Sequence, residues 1–339
     1  MTDLIKKLIA TQGPLLVEAR QEAWDAYCGR FLDAQDVSAS SKKTYRKALR
    51  SLKDYLCDRQ IQAPVREDIL QYKDHLASSG LRPFTISTYM TGVRQLFEWV
   101  EITGLGKNIA KGIKGMKRPK GFMKDALTKA QIGLVLSRID RSSLAGLRDY
   151  ALINLLIRTG LRCIEASRIN IGDMRQESGK PVLQIWGKGC SGKDDYVVLE
   201  DSAQQPIMEY ISALKAVDSK KQPTQDEDAP LFVSLSNLSN GERLHVDSIS
   251  RVVKKRFKAV GLDSRRLTAH STRHTSITLA LEAGASIQEA QQMARHSSVN
   301  TTMIYSHNIN RLKSSAESRI SDILPPVEQE LCGEPAYSG

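Results

Sequence analysis

The chain lacks the features that define several classes of protein. Its longest apolar run, YALINLLI over 150–157, is far shorter than the roughly 20 residues that a transmembrane helix needs. The N-terminal stretch MTDLIKKLIATQGPLL has no clean apolar core, so no secretory signal peptide is expected. Five cysteines without framework spacing predict no structural disulfides and favour a reducing, cytoplasmic location. No nucleotide-binding loop is visible either.

Positive charge, by contrast, is in excess. The 49 Lys and Arg outnumber the 38 Asp and Glu and give a formal net charge of +11, which favours a nucleic-acid partner without specifying it. Seven cations and no acid lie between residues 107 and 124: Lys107, Lys111, Lys114, Lys117, Arg118, Lys120 and Lys124. We interpret this segment as a linker that crosses DNA phosphates, with a solvated tether as the alternative.

The residues before this basic segment predict a helical domain. Apolar residues recur at helical spacing over about 17–34, 40–58, 66–79 and 84–102. The second helix carries a cationic stripe opposite its leucines, formed by Lys42, Lys43, Arg46, Lys47, Arg50 and Lys53. A solvated helix face is the alternative, but the basic segment downstream favours contact with DNA.

Six polar residues follow one another in the C-terminal half: Arg162, Lys188, His270, Arg273, His296 and Tyr305. They lie in the segments TGLRCIEAS, IWGKGCSGKDDYVVL, AHSTRH and MARHSSVNTTMIYSH. Cleavage of a DNA phosphodiester builds negative charge on two non-bridging oxygens of a five-coordinate phosphorus, so it needs positioned cations and hydrogen-bond donors. Single residues of these types are usually surface or packing residues, whereas the joint order and spacing of all six indicate a site.

The four segments resemble the tyrosine recombinase (phage integrase) family. In this interpretation Tyr305 attacks the phosphate and forms a 3′-phosphotyrosine, while Arg162 and Arg273 grip the phosphate oxygens. Lys188 protonates the departing 5′ oxygen. His270 and His296 donate hydrogen bonds to the phosphate and help the phenol lose its proton. The covalent link conserves the bond energy, so no cofactor, ATP or metal is expected.

Local patterns indicate how these residues converge. His270 and Arg273 are three apart in a helix-like run over 268–283 and should share one face. His296 and Tyr305 are nine positions apart and would lie on opposite faces of an unbroken helix, so the helix must break between them. Lys188 should lie at the mouth of a β-hairpin formed by 182–186 and 196–200.

Two further residues are predicted to support the six. Glu165 should steady Arg162, with a surface helix pair as the alternative. His274 lies four residues after His270, which is also a zinc spacing, but no acidic or cysteine partner nearby completes a metal site. Arg295 departs from the family pattern, which usually has glycine before the second histidine. It is expected either to touch DNA or to point outward.

The resemblance implies a mainly α fold with a small β-hairpin or sheet, in two domains. We expect an N-terminal extension (1–16), an all-helical, SAM-like core-binding domain (17–106), the basic linker (107–125), an α+β catalytic domain (126–310) and a tail (311–339). A second basic cluster, Arg251, Lys254, Lys255, Arg256, Lys258, Arg265 and Arg266, is expected to flank the DNA. The polar run 218–230 is interpreted as a solvated insertion.

The tail carries Ile320, Ile323 and Leu324 at helical spacing. It is expected to form a short helix that docks on a neighbouring protomer, or on its own domain, with disorder past 326.

The predicted function is site-specific recombination through a Holliday junction, for integration or excision of a mobile element or for resolution of replicon dimers. Only about 15 residues precede the first helix, which favours a simple Xer- or Cre-like member without an arm-binding domain. The expected partner is double-stranded DNA with short inverted core sites, bound by a homo-tetramer of a chain that is monomeric in solution, with room for an accessory protein and no membrane. A type IB topoisomerase-like relaxing enzyme and a non-catalytic DNA-binding regulator are the alternatives.

Overall fold

The computed structural model describes residues 15–117, 125–186, 192–217, 227–313, 320 and 323–324. The chain divides into two compact units, Met1–Lys120 and Gly121–Gly339. The fold is mainly helical with one small antiparallel sheet, as the sequence predicts. Among the described residues, no helix is long and apolar enough to cross a membrane.

The first unit contains the four predicted helices. They are α1 (Leu15–Asp33), α2 (Ala39–Asp58), α3 (Arg66–Ser78) and α4 (Pro83–Ile102), each within two residues of its predicted bounds. Helix α2 begins where the Ser38 hydroxyl accepts a hydrogen bond from the Ser41 amide at 3.2 Å. Helix α4 begins with Pro83. Proline is favourable there, because a backbone N–H in the first turn has no hydrogen-bond partner within the helix and its absence costs nothing.

Close packing of α2 on α4 forms the centre of this unit. Ala48, Leu49 and Leu52 of α2 are at most 1% exposed. A Cβ added to Gly92 of α4 would lie 3.0 Å from the Ala48 Cβ, so the close approach of the two helices depends on glycine at this position.

The first half of the predicted linker is part of this unit. Ala110 and Ile113 are 0% and 2% exposed and lie in the core of the first unit. The Ser87 hydroxyl donates a hydrogen bond to the Met116 carbonyl at 2.9 Å. The domain boundary expected at residue 106 therefore lies after this segment, because its apolar residues pack on the four helices while its lysines point outward.

The second unit is built around a buried helix. Its N-terminal helices are α5 (Lys129–Ser137), α6 (Leu144–Thr159) and α7 (Cys163–Arg168). Every residue from Ala151 to Ile157 is buried, which fits the apolar character of α6 on all sides. Helix α6 ends at Gly160, which adopts the left-handed conformation (φ +64°, ψ +20°) that glycine takes without strain.

The sheet of this unit has the strand order β1–β2–β3 and is antiparallel throughout. Strands β2 (Lys180–Ile185) and β3 (Asp195–Val198) are the predicted hairpin, with Leu183 opposite Val197. Strand β1 (Met174–Glu177) was not predicted, because its sequence MRQE has no apolar alternation and the strand is largely exposed at the sheet edge. The proposed site lysine, Lys188, lies outside the described residues.

The remaining helices are α8 (Asp201–Val217), α9 (Val246–Lys258), α10 (Ala269–Glu282), α11 (Ile287–Ala294) and α12 (Val299–Lys313). The predicted break between His296 and Tyr305 is present, since α11 ends at Ala294 and α12 begins at Val299. Ile277 of α10, Ala294 of α11 and Tyr305 of α12 form an apolar cluster of their own. Most of the predicted insertion and of the predicted tail helix lies outside the described residues.

Candidate active site

Arg273 lies at the centre of the candidate site. It projects from the second turn of α10 and is only 2% exposed. Its Nη1 donates a hydrogen bond to the Gly160 carbonyl at 2.6 Å, and its Nη2 donates to the Ala294 carbonyl. Burial, together with the charges of Arg162 and Arg295, lowers the pKa of Arg273 to about 10. The guanidinium therefore stays charged at neutral pH, with its position fixed by the ends of α6 and α11.

Arg162 lies just before α7 and is held by Glu165. The Glu165 carboxylate accepts the Arg162 backbone N–H at 2.7 Å and its Nη1 at 2.6 Å. Burial raises the pKa of Glu165, but the Arg295 charge and the hydrogen bonds from Arg162 outweigh it and leave the pKa below its ordinary value. The Arg162 side chain is 28% exposed, whereas Arg273 is 2% exposed, so Arg162 is the arginine that solvent and a ligand can reach.

Tyr305 is buried between two histidines. It is 5% exposed, and its ring centroid lies 5.3 Å from that of His274 and 6.3 Å from that of His296. Burial raises the pKa of the Tyr305 phenol to about 12, although the Arg273 charge opposes this shift. The phenol is therefore neutral at physiological pH and must lose its proton during any nucleophilic attack.

His296 follows α11 directly and is oriented by the next helix. Its Nδ1 lies 2.9 Å from the hydroxyl of Thr302, a residue of α12 that is fully buried. This contact occupies Nδ1 and leaves Nε2 for a ligand. Burial and the charges of Arg273, Arg162 and Arg295 lower the pKa of His296 to about 4. The imidazole is therefore neutral at pH 7 and can donate or accept a proton.

The other two histidines lie on one face of α10. The exposed His270 ring and the buried His274 ring have centroids 4.8 Å apart at an interplanar angle of 88°. Burial and the His270 charge lower the pKa of His274 to about 4. Within the described ranges, no group of three His, Cys, Asp or Glu residues could hold a metal ion.

The predicted DNA-binding cations of the first unit are mostly exposed. On α2, the side chains of Lys43, Arg46, Lys47 and Arg50 are exposed and Lys42 is half-buried. Lys53 instead pairs with Asp25 at 2.9 Å and does not belong to the exposed stripe. Lys107, Lys111, Lys114 and Lys117 are exposed as well, with the Lys111 Nζ 3.6 Å from Glu101. Arg118 and Lys120 lie outside the described residues.

Several cations of the second basic cluster are paired within their own unit, and the contact of this cluster with DNA stays a prediction. Arg256 donates to the buried Asp149 at 2.6 Å, and Arg266 lies 2.7 Å from Asp125. Lys254 and Lys258 each lie 3.1 Å from Asp263. Among these four pairs, only that of Arg256 involves a buried carboxylate, whereas the partners of the other three are exposed, and such surface pairs contribute little to stability.

The sequence does not reveal two residues of the site. Arg295 points inward and reaches Glu165 at 2.9 Å, so the predicted outward direction is wrong, while contact with DNA stays a prediction. Thr302 holds His296, and only the position of the pair Thr301–Thr302 between His296 and Tyr305 hints at it.

Comparison with known proteins shows the family of the chain. The sequence profile of the phage integrase family matches residues 125–311, more than half of the chain. The chain belongs to the phage integrase family. The profile of the family's N-terminal SAM-like domain matches residues 25–102 of this recombinase.

Curated relatives of the recombinase are themselves tyrosine recombinases. The XerD recombinase of Oceanobacillus iheyensis is 28% identical over 292 residues, which cover 83% of this chain and 92% of the relative. A tyrosine recombinase of Synechocystis sp. is 25% identical over 303 residues, 85% of this chain and 92% of the relative.

A similar fold is seen in the XerH site-specific recombinase bound to palindromic difH substrate, in a post-cleavage complex. Its TM-score is 0.66 at 20% identity, covering 83% of this chain and 80% of XerH. The recombinase is thus an enzyme of DNA strand cleavage and rejoining, and neither a relaxing enzyme nor a non-catalytic regulator is favoured.

Proposed function

We propose that this recombinase exchanges DNA strands at specific sites with Tyr305 as its nucleophile. The observation that carries this proposal is the placement of a buried phenol between His274 and His296, in the field of Arg273. The Tyr305 oxygen attacks the scissile phosphorus and a 3′-phosphotyrosyl bond forms. The bond from phosphorus to the 5′ oxygen breaks, and that oxygen takes a proton. Attack by another 5′ hydroxyl reverses the step and releases Tyr305.

The charges around the site fit the demands of this reaction. Arg162 and Arg295 both bind the Glu165 carboxylate, and Arg273 and Arg295 both donate to the Gly160 carbonyl, so their contacts form one connected set. This leaves two net positive charges among the four side chains. The phosphate gains negative charge as the fifth bond forms, so fixed positive charge stabilises the transition state more than the bound substrate.

Proton transfers are assigned to three side chains. Neutral His296, with its Nδ1 held by Thr302, presents Nε2 to a phosphate oxygen or to the phenol proton. His270 lies on the exposed turn of α10 and supplies a second hydrogen bond to the phosphate. Lys188, which follows β2 in the sequence and lies outside the described residues, protonates the 5′ oxygen as the resemblance implies. The buried His274 ring packs beside Tyr305, with ring centroids 5.3 Å apart.

Double-stranded DNA with short inverted core sites is the proposed partner. The solved structure of XerH contains a palindromic difH substrate, and the exposed cations of α2 give this chain an electropositive surface for phosphates. We infer a monomer in solution and a tetramer on two DNA duplexes, which exchanges strands through a Holliday junction. Both integration or excision and resolution of replicon dimers fit this chemistry, with or without an accessory protein. The cytoplasmic location stays a prediction.

The proposal is tested with a suicide substrate. The Tyr305→Phe protein first selects its binding site from a random-sequence DNA library. Wild-type protein is then mixed with a nicked duplex of that site in EDTA, and the products are separated on a denaturing gel. We expect a covalent adduct that maps to Tyr305 and is absent from Tyr305→Phe. A wild-type protein that binds the selected site without forming an adduct would refute the proposed nucleophile.

A further inference from the structure

Arg295 occupies a backbone position that suits glycine. The end of α11 forms a Schellman turn, in which the His296 N–H donates to the Gln291 carbonyl at 3.1 Å and the Arg295 N–H donates to the Gln292 carbonyl at 2.9 Å. Arg295 itself is left-handed, with φ +52° and ψ +49°. For a residue with a Cβ this conformation costs about 1–2 kcal/mol. A favourable use of the side chain must therefore offset this strain.

The side chain of Arg295 is turned into the protein. It is 8% exposed, and its Nη2 donates to Glu165 Oε2 at 2.9 Å. Its Nη1 donates to the Met293 carbonyl at 2.6 Å. Within the part of the chain that the structure describes, the buried Nε has no hydrogen-bond partner. A strained, buried cation with an unsatisfied donor is costly for stability alone, so its position points to a role in the site.

Glu165 is the link between Arg295 and Arg162. One carboxylate accepts Arg162 Nη1 on Oε1, and it accepts the Arg162 backbone N–H and Arg295 Nη2 on Oε2. Arg162 and Glu165 alone would form a neutral pair, which stabilises only weakly the negative charge that builds on the phosphate in the transition state. Arg295 restores one net positive charge to this corner and fixes the second carboxylate oxygen. The guanidinium of Arg162 is then both oriented and uncompensated.

We propose that Arg295 is a positioning residue of the recombination site. It acts through Glu165 to orient the Arg162 guanidinium towards the scissile phosphate and to keep its positive charge uncompensated. This inference rests on the proposed function. Arg295 does not touch the phosphate in this proposal, because the contacts of its terminal nitrogens are to Glu165, Gly160 and Met293. Its removal should therefore slow cleavage and leave DNA affinity unchanged.

The test is a double-mutant cycle of Arg295→Gly and Glu165→Gln on the nicked suicide duplex. Glycine relieves the backbone strain while it removes the guanidinium. We expect Arg295→Gly to form the Tyr305 adduct at least tenfold more slowly at saturating duplex, with a DNA dissociation constant within threefold of wild type. Because Arg295 acts through Glu165, adding Arg295→Gly to Glu165→Gln should change the rate by less than threefold. Arg295→Lys, which keeps the charge, should recover part of the lost rate.

Gln60→Gly is the matched control. Gln60 is also left-handed, at φ +57°, but lies in the first unit, so this variant relieves similar strain and should cleave at the wild-type rate. If Arg295→Gly does not fold by circular dichroism, Arg295→Gln replaces it with the same expectations.

Three outcomes overturn the inference or its basis. Wild-type cleavage by folded Arg295→Gly shows that the residue is only structural. A second outcome is that Arg295→Gly weakens DNA binding equally in the wild-type and the Glu165→Gln background and reduces the salt dependence of binding by about one phosphate contact. That outcome shows that Arg295 contacts DNA directly. Both results overturn the positioning role and leave the proposed function intact. Absence of the adduct from wild type and Gln60→Gly alike overturns the proposed function itself.

Discussion

The hydrogen bond between Thr302 and His296 predicts a specific effect on cleavage. Thr302 is fully buried on α12, and its hydroxyl lies 2.9 Å from His296 Nδ1. Replacement of Thr302 with valine keeps the branched shape and removes the hydroxyl. A neutral hydrogen bond of this kind contributes about 1 kcal/mol net. Since His296 loses its fixed tautomer as well as this bond, we expect the cleavage rate to fall roughly tenfold, which corresponds to about 1.4 kcal/mol of transition-state stabilisation.

The assay is single-turnover formation of the Tyr305 adduct on the suicide duplex at saturating protein. Thr302→Ser keeps the hydroxyl and should retain most of the rate. Thr301→Val provides the matched control, because Thr301 is the preceding residue of the same helix and is exposed. DNA affinity should be the same for all four proteins. Equal rates for Thr302→Val and Thr301→Val would show that the contact has no part in orienting His296, and a parallel loss of DNA binding would assign the effect to folding.

Three further predictions follow from the burial and charge of particular residues. Since burial holds the pKa values of His274 and His296 near 4, below the unfolded value of about 6.5, the unfolded state binds more protons between these values. The contribution of these two histidines to the free energy of unfolding should therefore be complete above pH 6.5. The free energy should fall as pH drops towards 4, by up to about 2.7 kcal/mol per pH unit for two protons. His274→Asn should halve this slope, as measured by urea titrations at a series of pH values. Gly92→Ala should destabilise the protein by about 1–3 kcal/mol through overpacking against Ala48, whereas Gly29→Ala in α1, which has open space around it, should be neutral or stabilising. Lys43→Ala with Lys47→Ala should reduce the salt dependence of DNA binding by about two phosphate contacts, and the exposed Lys215→Ala on α8 should leave it unchanged.

Regular periodicity explains which parts of the fold could be predicted. The helices of the first unit carry apolar stripes and clear start signals, so their bounds follow from the sequence within two residues. The turn between α11 and α12 was predictable because nine residues cannot place His296 and Tyr305 on one helical face. Strand β1 has no such signal, since its pairing with β2 is made by backbone groups, which almost any residue supplies.

Side-chain direction explains what could not be predicted. A sequence pattern gives the residue types of a site, but it does not tell which cations face solvent. Arg256 belongs to a basic stretch and Arg295 follows a helix end, yet each is directed to a carboxylate that is distant in sequence, Asp149 and Glu165. Their orientation depends on tertiary contacts between α9 and α6 and between α11 and α7, which no local pattern contains.

The partners of the three arginines explain how the site keeps its charge. Arg273 is held by the carbonyls of Gly160 and Ala294, at the C-terminal ends of α6 and α11. Carbonyls at helix ends carry only partial negative charge, so they fix the guanidinium without cancelling it. Arg162 is held by a full carboxylate, which would cancel its charge if it acted alone. Arg295, the second arginine bound to Glu165, offsets the charge of this carboxylate. Arg162 is therefore held in place without loss of its charge, as Arg273 is by the carbonyls at the helix ends. We therefore expect that a neutral glutamine in place of Glu165 leaves the charge of Arg162 uncompensated but loses its orientation, so that the defect appears in the cleavage rate and not in the affinity for DNA.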